Sequence, residues 1–362
     1  MQNNTVYNIN LLLKEINEIA GHLPHINIME VCGTHTMSIG KNGLRQVLPQ
    51  NVNLISGPGC PVCVTSVSDI DNITELAENH NNYIFSFGDM LKVPGSKSSL
   101  YKKRSEGSNI KICYSPADAL DFAQKNPKNN VIFIAIGFET TAPLTALLIK
   151  KASEMQISNF YIYNTHKIVP PALKFLLNSK NGNNINAFLC PGHVCAVIGS
   201  KPFEFISKIY NKPAVISGFS ADDILNSVLM ILRQLKEGKP ATEIQYKRVV
   251  KEDGNPVAVK YINDIFDIND SLWRGIGNIE KSGLVLKDKF INFDAKITFS
   301  LKDNDAKDPQ YCSCGDILQG TKKPFECKLF GKLCKPDNPV GPCMVSSEGT
   351  CATYFKYEKY TS

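Results

Sequence analysis

The chain has 362 residues, 43% of them hydrophobic, and a net charge of +6. That length holds two or three domains of roughly 100–200 residues each. Its lysines are scattered and cluster only briefly, as at Lys102-Lys103-Arg104, which reads as a solvated surface and not a nucleic-acid footprint.

Residues 1–10 are polar and Asn-rich, unlike a secretory signal. The longest apolar run, 131–138, is far short of the roughly 20 residues a membrane span needs. A cytoplasmic protein is expected, and there twelve cysteines argue for metal or redox chemistry over structural disulfides.

In chain order, residues 8–20 read as a helix with Ile9, Leu12, Leu13, Ile16 and Ile19 on one side. Apolar strands follow at 26–31, 52–56, 83–87 and 110–113, then at 131–136, 160–163, 187–189 and 214–217. Helical stretches lie near 67–79, 116–125, 142–154, 169–178, 202–209 and 220–236. Such alternation predicts parallel sheets with helices on both faces. Two runs of about four strands predict two Rossmann-like halves, without any G-x-G-x-x-G fingerprint. The expected units are an N-terminal helix (1–24), a first α/β domain (25–128), a second (129–238), and a C-terminal domain (239–362). Residues 236–242 read as a linker, 244–250 as a strand and 256–266 as a helix.

Ligands of open α/β sheets bind beyond the carboxyl ends of the strands. The unusual residues sit there: Cys32-Gly-Thr-His35, Gly57-Pro-Gly-Cys60-Pro-Val-Cys63, Gly137-Phe-Glu139-Thr-Thr-Ala-Pro and Cys190-Pro-Gly-His193. Cys32 at a strand–helix junction fits a thiolate nucleophile or metal ligand acidified by the helix N-terminus, with His35 sharing the metal or moving protons. The plain alternative is a buried cysteine and a capping histidine. Cys60 and Cys63 form a C-x-x-C suited to dithiol–disulfide cycling, or half of a zinc site with no second half in the chain. Glu139 is a proton relay or a ligand-orienting group, or else a carboxylate at a helix start. His193 follows Pro-Gly and could reach the cleft, although a lone histidine there is more often structural. Cys113, Cys190 and Cys195 read as small buried apolar side chains.

The last 51 residues hold six cysteines, Cys312, Cys314, Cys327, Cys334, Cys343 and Cys351, among many glycines and prolines. Cys312, Cys327, Cys334 and Cys351 give C-x14-C-x6-C-x16-C, unlike the close pairs of a structural zinc site. Four thiolates on a turn-rich segment suit a cubane iron–sulfur cluster. A disulfide-laced tail is the alternative.

Taken together, MEVCGTHT (29–36), GPGCPVCVT (57–65), FSFGDMLKVPGS (85–96), IGFETTAP (136–143), PGHVCAVIG (191–199) and the tail from CSCGDILQG to CMVSSEGTCATYFKY resemble the HypD family of [NiFe]-hydrogenase maturation factors. The resemblance implies two α/β domains facing a cleft and a C-terminal cluster domain. It implies a scaffold on which the Fe(CN)2CO group is built with a HypC-type partner. A HypE-type donor, itself supplied by HypF from carbamoyl phosphate, brings the cyanide. Carried over, Cys32 ligates the iron beside His35, Cys60 and Cys63 are the redox pair, and Cys312, Cys327, Cys334 and Cys351 hold a [4Fe-4S] cluster. Cys314 is an alternative first ligand. Electrons are expected to run from the cluster through Cys60/Cys63 to iron at Cys32. A stand-alone iron–sulfur disulfide reductase is the competing reading, a zinc-stabilised binding module the third. The chain alone is expected to be a monomer.

Overall fold

The computed structural model describes residues 2–358. Met1 and residues 359–362, the outer ends of the expected first and last units, lie outside the described residues. Eleven strands are present among the described residues: β1 (Ile26–Glu30), β2 (Val52–Ser56), β3 (Asn82–Ser86), β4 (Ile110–Ile112), β5 (Asn130–Ala135), β6 (Phe160–Asn164), β7 (Ala187–Pro191), β8 (Ala214–Ser217), β9 (Thr242–Ile244), β10 (Phe266–Trp273) and β11 (Gly277–Leu286). The first eight sit where the apolar runs place them. Their near-continuous hydrophobic character is that of parallel strands buried on both faces.

One sheet has the order β2-β1-β7-β8-β9 and the other β4-β3-β5-β6, and every pairing in both is parallel. Strands from 25–128 are therefore shared between the sheets, and so are strands from 129–238. The chain lays down β1 and β2, builds the whole second sheet, then returns to finish the first. Apolar strand patterns carry no information on partner choice, so a division at 128/129 was the simplest reading and does not describe the sheets.

The boundary at 239 also moves. Segment 236–242 is no linker: the helix Ala221–Glu237 ends on left-handed Gly238 and the chain turns directly into β9. The strand expected at 244–250 is only Thr242–Ile244. The helix Pro256–Ile265 forms as expected, started by an Asn255 side chain that accepts from two backbone amides. β10 and β11 then form an antiparallel hairpin with an irregularity between Asn269 and Ser271; their Phe266, Leu284 and Leu286 pack into the core of the second sheet.

The helix Gln2–Ala20 buries Ile16, Ile19 and Ala20 against Ile224, Val228 and Leu232 of the helix Ala221–Glu237. The tail shares one core with β1 and β2: Cys314, Ile317, Cys334, Cys343 and Cys351 pack with Met29, Val31 and Ile55. Among the described residues no helix is long and apolar enough to cross a membrane.

The tail is also fixed by charge. Glu30, fully buried on β1, accepts from Ser56 Oγ and Thr36 Oγ1, and lies 3.5 Å from Arg45 Nη2. Arg45 pairs in turn with Glu358 and lies over the Tyr354 ring, 4.6 Å from its centroid. Removing one member of a buried pair strands the other charge at a cost of about 3–5 kcal/mol. Arg45→Ala is expected to lower unfolding free energy by about that much in denaturant titrations. Arg45→Met combined with Glu30→Gln is expected to recover most of the loss. A double variant no more stable than Arg45→Ala would refute this account.

Candidate functional site

The carboxyl ends of both sheets open on one cavity of about 760 Å³. From the first sheet come Cys32 after β1, Cys60 after β2 and His193 after β7; from the second come Asp89 after β3, Tyr114 after β4 and Thr141 after β5. Ser346, Ser347 and Glu348 of the tail complete the wall. The loops expected to converge do so.

Cys32 and Cys60 are held together by backbone. Gly33 N donates to Gly59 O (3.0 Å). A Cβ on Gly59 would lie 2.3 Å from Cys32 N and 2.6 Å from Cys32 Cα, so only glycine lets the loops meet. Cys32 precedes the helix Gly33–Lys41 in an extended conformation (φ −152°, ψ 128°). Burial, with the nearby Glu348 carboxylate, pushes its thiol up to about 12, against the opposing pull of the polar groups of Thr34 and His35. The expected acidification by the helix start is real in direction and loses to desolvation.

The ring of His35 does not reach the cavity. Its Nε2 donates to Gly218 O (2.9 Å), and the ring stacks on Phe219 at 4.7 Å. Burial lowers its pKa to about 4, and Nδ1 is buried with no partner among the described residues. His35 serves Cys32 through its main-chain amide, and the neutral imidazole faces the other way.

Glu139 is likewise buried behind the wall. Oε1 accepts from Val169 N (3.0 Å), which fixes the start of the helix Val169–Asn178. Oε2 has no partner among the described residues, and burial raises the carboxyl to about 7. His193, placed by sequence within reach of the cleft, is the imidazole that lines the cavity, stacked at 3.9 Å on the same Phe219.

Behind the cavity the thiols form a row. Cys60 Sγ accepts from Cys63 N at 3.3 Å. Cys63 neighbours Cys60 and Cys343. Cys343 neighbours Cys314 and Cys351 as well, and Cys314 Sγ lies 3.4 Å from Cys312 Sγ. Hydrogen bonds from three thiols draw Cys343 well below the usual thiol range, while burial holds Cys63 and Cys351 above it. All twelve cysteines are free.

The tail fits a thiolate-bound cluster in its donors. Amides of Val340 and Gly341 point at Cys334 Sγ. A Cβ on Gly341 would lie 2.6 Å from Cys312 Sγ and 2.7 Å from Cys314 Sγ. Cys327 Sγ lies 3.9 Å from Tyr311 O, next to Cys312. No three His, Cys, Asp or Glu side chains among the described residues close on a single-ion site.

The sequence matches the HypD family model, described as Hydrogenase formation hypA family, over residues 8–358. The chain belongs to the HypD family. It is 42% identical over 356 residues to the hydrogenase maturation factor HypD2 of Bradyrhizobium diazoefficiens, covering 96% of this chain and 94% of that protein. The hydrogenase maturation factor HypD of Escherichia coli is 42% identical over 357 residues, 97% of this chain and 95% of the relative. That of Cupriavidus necator is 41% identical over 341 residues, 92% and 90%.

In this HypD-family chain, Cys343 and the cavity residues of the tail were missed by sequence reasoning. The available signal was Gly-Pro-Cys343-Met in the turn-rich tail and Ser346-Ser-Glu348 just beyond it. Two tests follow from the titrations. Cys32 is expected to react with iodoacetamide slowly at neutral pH and about tenfold faster per unit of rising pH, since only the thiolate attacks; peptide mass spectrometry reads this, and a fast reaction flat above pH 7 would refute it. Glu139 has a folded pKa above its unfolded value, so the folded state binds the extra proton, and stability falls as pH rises from about 4.5 to about 7. Glu139→Gln keeps the acceptor for Val169 N and is expected to remove about 1–3 kcal/mol of that decline. An unchanged pH profile of melting temperature would rule the titration out.

Proposed function

We propose that this chain is a hydrogenase maturation factor that holds iron at Cys32 while cyanide and carbon monoxide are attached. The iron is its substrate. The observation that carries the reading is that Cys32 and Cys60 face one cavity, with Cys60 continuing into a row of hydrogen-bonded thiols.

The residues divide the work. Cys32 gives its proton up to bind the soft metal through sulfur, as thiols do on metallation. The Thr34 and His35 amides steady that sulfur. Thr34 Oγ1 donates to Glu348 Oε1 (2.7 Å), and Ser346 Oγ donates to Asp89 Oδ2 (2.7 Å), which ties the tail across the cavity. His193 carries a proton to or from bound ligands. Val62, Phe87, Phe138 and Val194 give the cavity an apolar wall for diatomic ligands. Cys60 and Cys63, on forming a disulfide, release two electrons and two protons, a pair that keeps iron low-valent or reduces a cyanide-carrying precursor.

Cys312, Cys327, Cys334 and Cys351 hold a [4Fe-4S] cluster in this proposal, with Cys314 turned inward to Cys343. The cluster, when bound, supplies one-electron transfer. A HypC-type protein provides a second thiolate for the iron and a HypE-type protein brings cyanide. The reducing cytoplasm, where cysteines stay available for metal and redox chemistry, is the compartment this reading calls for.

The test is iron, sulfide and zinc analysis of anaerobically purified protein, with infrared spectra in the CN and CO stretching region after co-production with these partners. Cluster iron plus further iron carrying both bands is expected. Cys32→Ala is expected to lose the bands, with their iron, and to keep the sulfide. Bands that survive Cys32→Ala would sink the assignment, cluster iron without bands in the parent would favour a disulfide reductase, and zinc without sulfide would favour a structural metal site.

A further inference from the structure

Residues 322–335 hold Lys322, Lys323, Lys328, Lys332 and Lys335 against the single acid Glu326, a net +4 within a chain of net +6. All five lysines are exposed. Lys322 pairs with Asp316; among the described residues no carboxylate lies within ion-pair distance of the other four.

The segment is compact. Cys334 N donates to Leu329 O (2.9 Å) and Gly331 N to Cys334 O (3.1 Å), around a left-handed Gly331. This turn raises Lys332 and Leu333 at its tip. Leu333 is 67% exposed, and so is Tyr311 at 62%, with Lys328 Nζ 5.8 Å from its ring centroid. Cys327 and Cys334 of the same segment are buried. An apolar centre with a one-signed rim is the make-up of a transient, electrostatically steered interface. A merely solvated lysine face would carry neither the exposed apolar tip nor, within the same segment, two of the thiols proposed to hold the cluster.

We propose that this lysine collar docks a small acidic one-electron carrier protein of ferredoxin type. The inference rests on the redox role proposed for Cys60 and Cys63. Two reduced carriers docking in turn supply two electrons, which with two protons convert a Cys60–Cys63 disulfide to two thiols. The negative carrier matches the collar in sign. The cavity that takes iron stays free for the other partners, because no collar lysine lines it.

The experiment uses the full chain, purified anaerobically, with a reduced acidic bacterial ferredoxin as probe. Association rates are measured against ionic strength for the parent and for Lys328→Glu, Lys332→Glu and Lys335→Glu combined. A second triple, Lys97→Glu, Lys102→Glu and Arg104→Glu, makes the same charge change elsewhere. The collar triple is expected to associate on the order of tenfold or more slowly at low salt and to lose most of its salt dependence, with the second triple near the parent. Equal losses in both triples, no loss in either, or tighter binding of the collar to DNA or anionic vesicles than to the ferredoxin would overturn the inference. Recovery of Cys60 and Cys63 thiols from the disulfide is followed by alkylation and mass spectrometry. Docking without thiol recovery would sink the redox reading and leave the docking surface standing. Recovery in the collar triple at the parental rate would do the reverse.

Discussion

The close approach of Gly59 to Cys32 is the constraint on which the site depends. One hydrogen bond, Gly33 N to Gly59 O, and one missing side chain bring the loop after β1 against the loop after β2. Because β1 and β2 are paired in register from Ile26/Val52 to Glu30/Ser56, the strands deliver those loops at the same height. Cys32 and the Cys60-x-x-Cys63 pair are therefore neighbours through rigid parallel pairing, and no induced movement is needed to bring them together. Sites carried on regular elements in this way hold geometry better than sites on free loops.

Eight strands and most of the helices were legible in the sequence because parallel strands buried on both faces leave unbroken apolar runs. Which strands share a sheet was not legible. β2 and β3 look alike as apolar runs, yet they belong to different sheets. The hairpin β10–β11 was missed for a different reason: β10 shows the pattern buried-exposed-exposed-exposed-exposed at its start, with no clean alternation to betray a strand. At the site, motif position at strand ends correctly gathered Cys32, Cys60 and the 137–141 loop. Ring direction was beyond it. His35 and His193 are both one step from the cavity in sequence terms, and only the structure assigns one to the Ser217–Phe219 wall and the other to the cavity.

Burial sets the chemistry of the sulfurs. A thiolate alone in this interior would lack solvation, which is why Cys32 and Cys63 are pushed toward the neutral form. Cys343 is the exception, drawn down by the thiols that neighbour it. A single negative charge shared among hydrogen-bonded sulfurs is cheaper to bury than several separate ones.

The tail couples this row to the cavity. Cys343 and Glu348 lie on one tight turn, in which Gly349 N donates to Ser346 O at 2.9 Å and a Cβ on Gly349 would lie 2.3 Å from Cys343 O. One side of the turn offers a sulfur to Cys63, and the other side offers Ser346 and Glu348 to Asp89 and Thr34. A turn with no room for a methyl group transmits displacement instead of absorbing it. Any rearrangement of sulfur at Cys343 therefore moves the carboxylate that stands over Cys32. In that sense the arrangement of the sulfur row and the electrostatic environment of the Cys32 thiol are two readings of one piece of backbone.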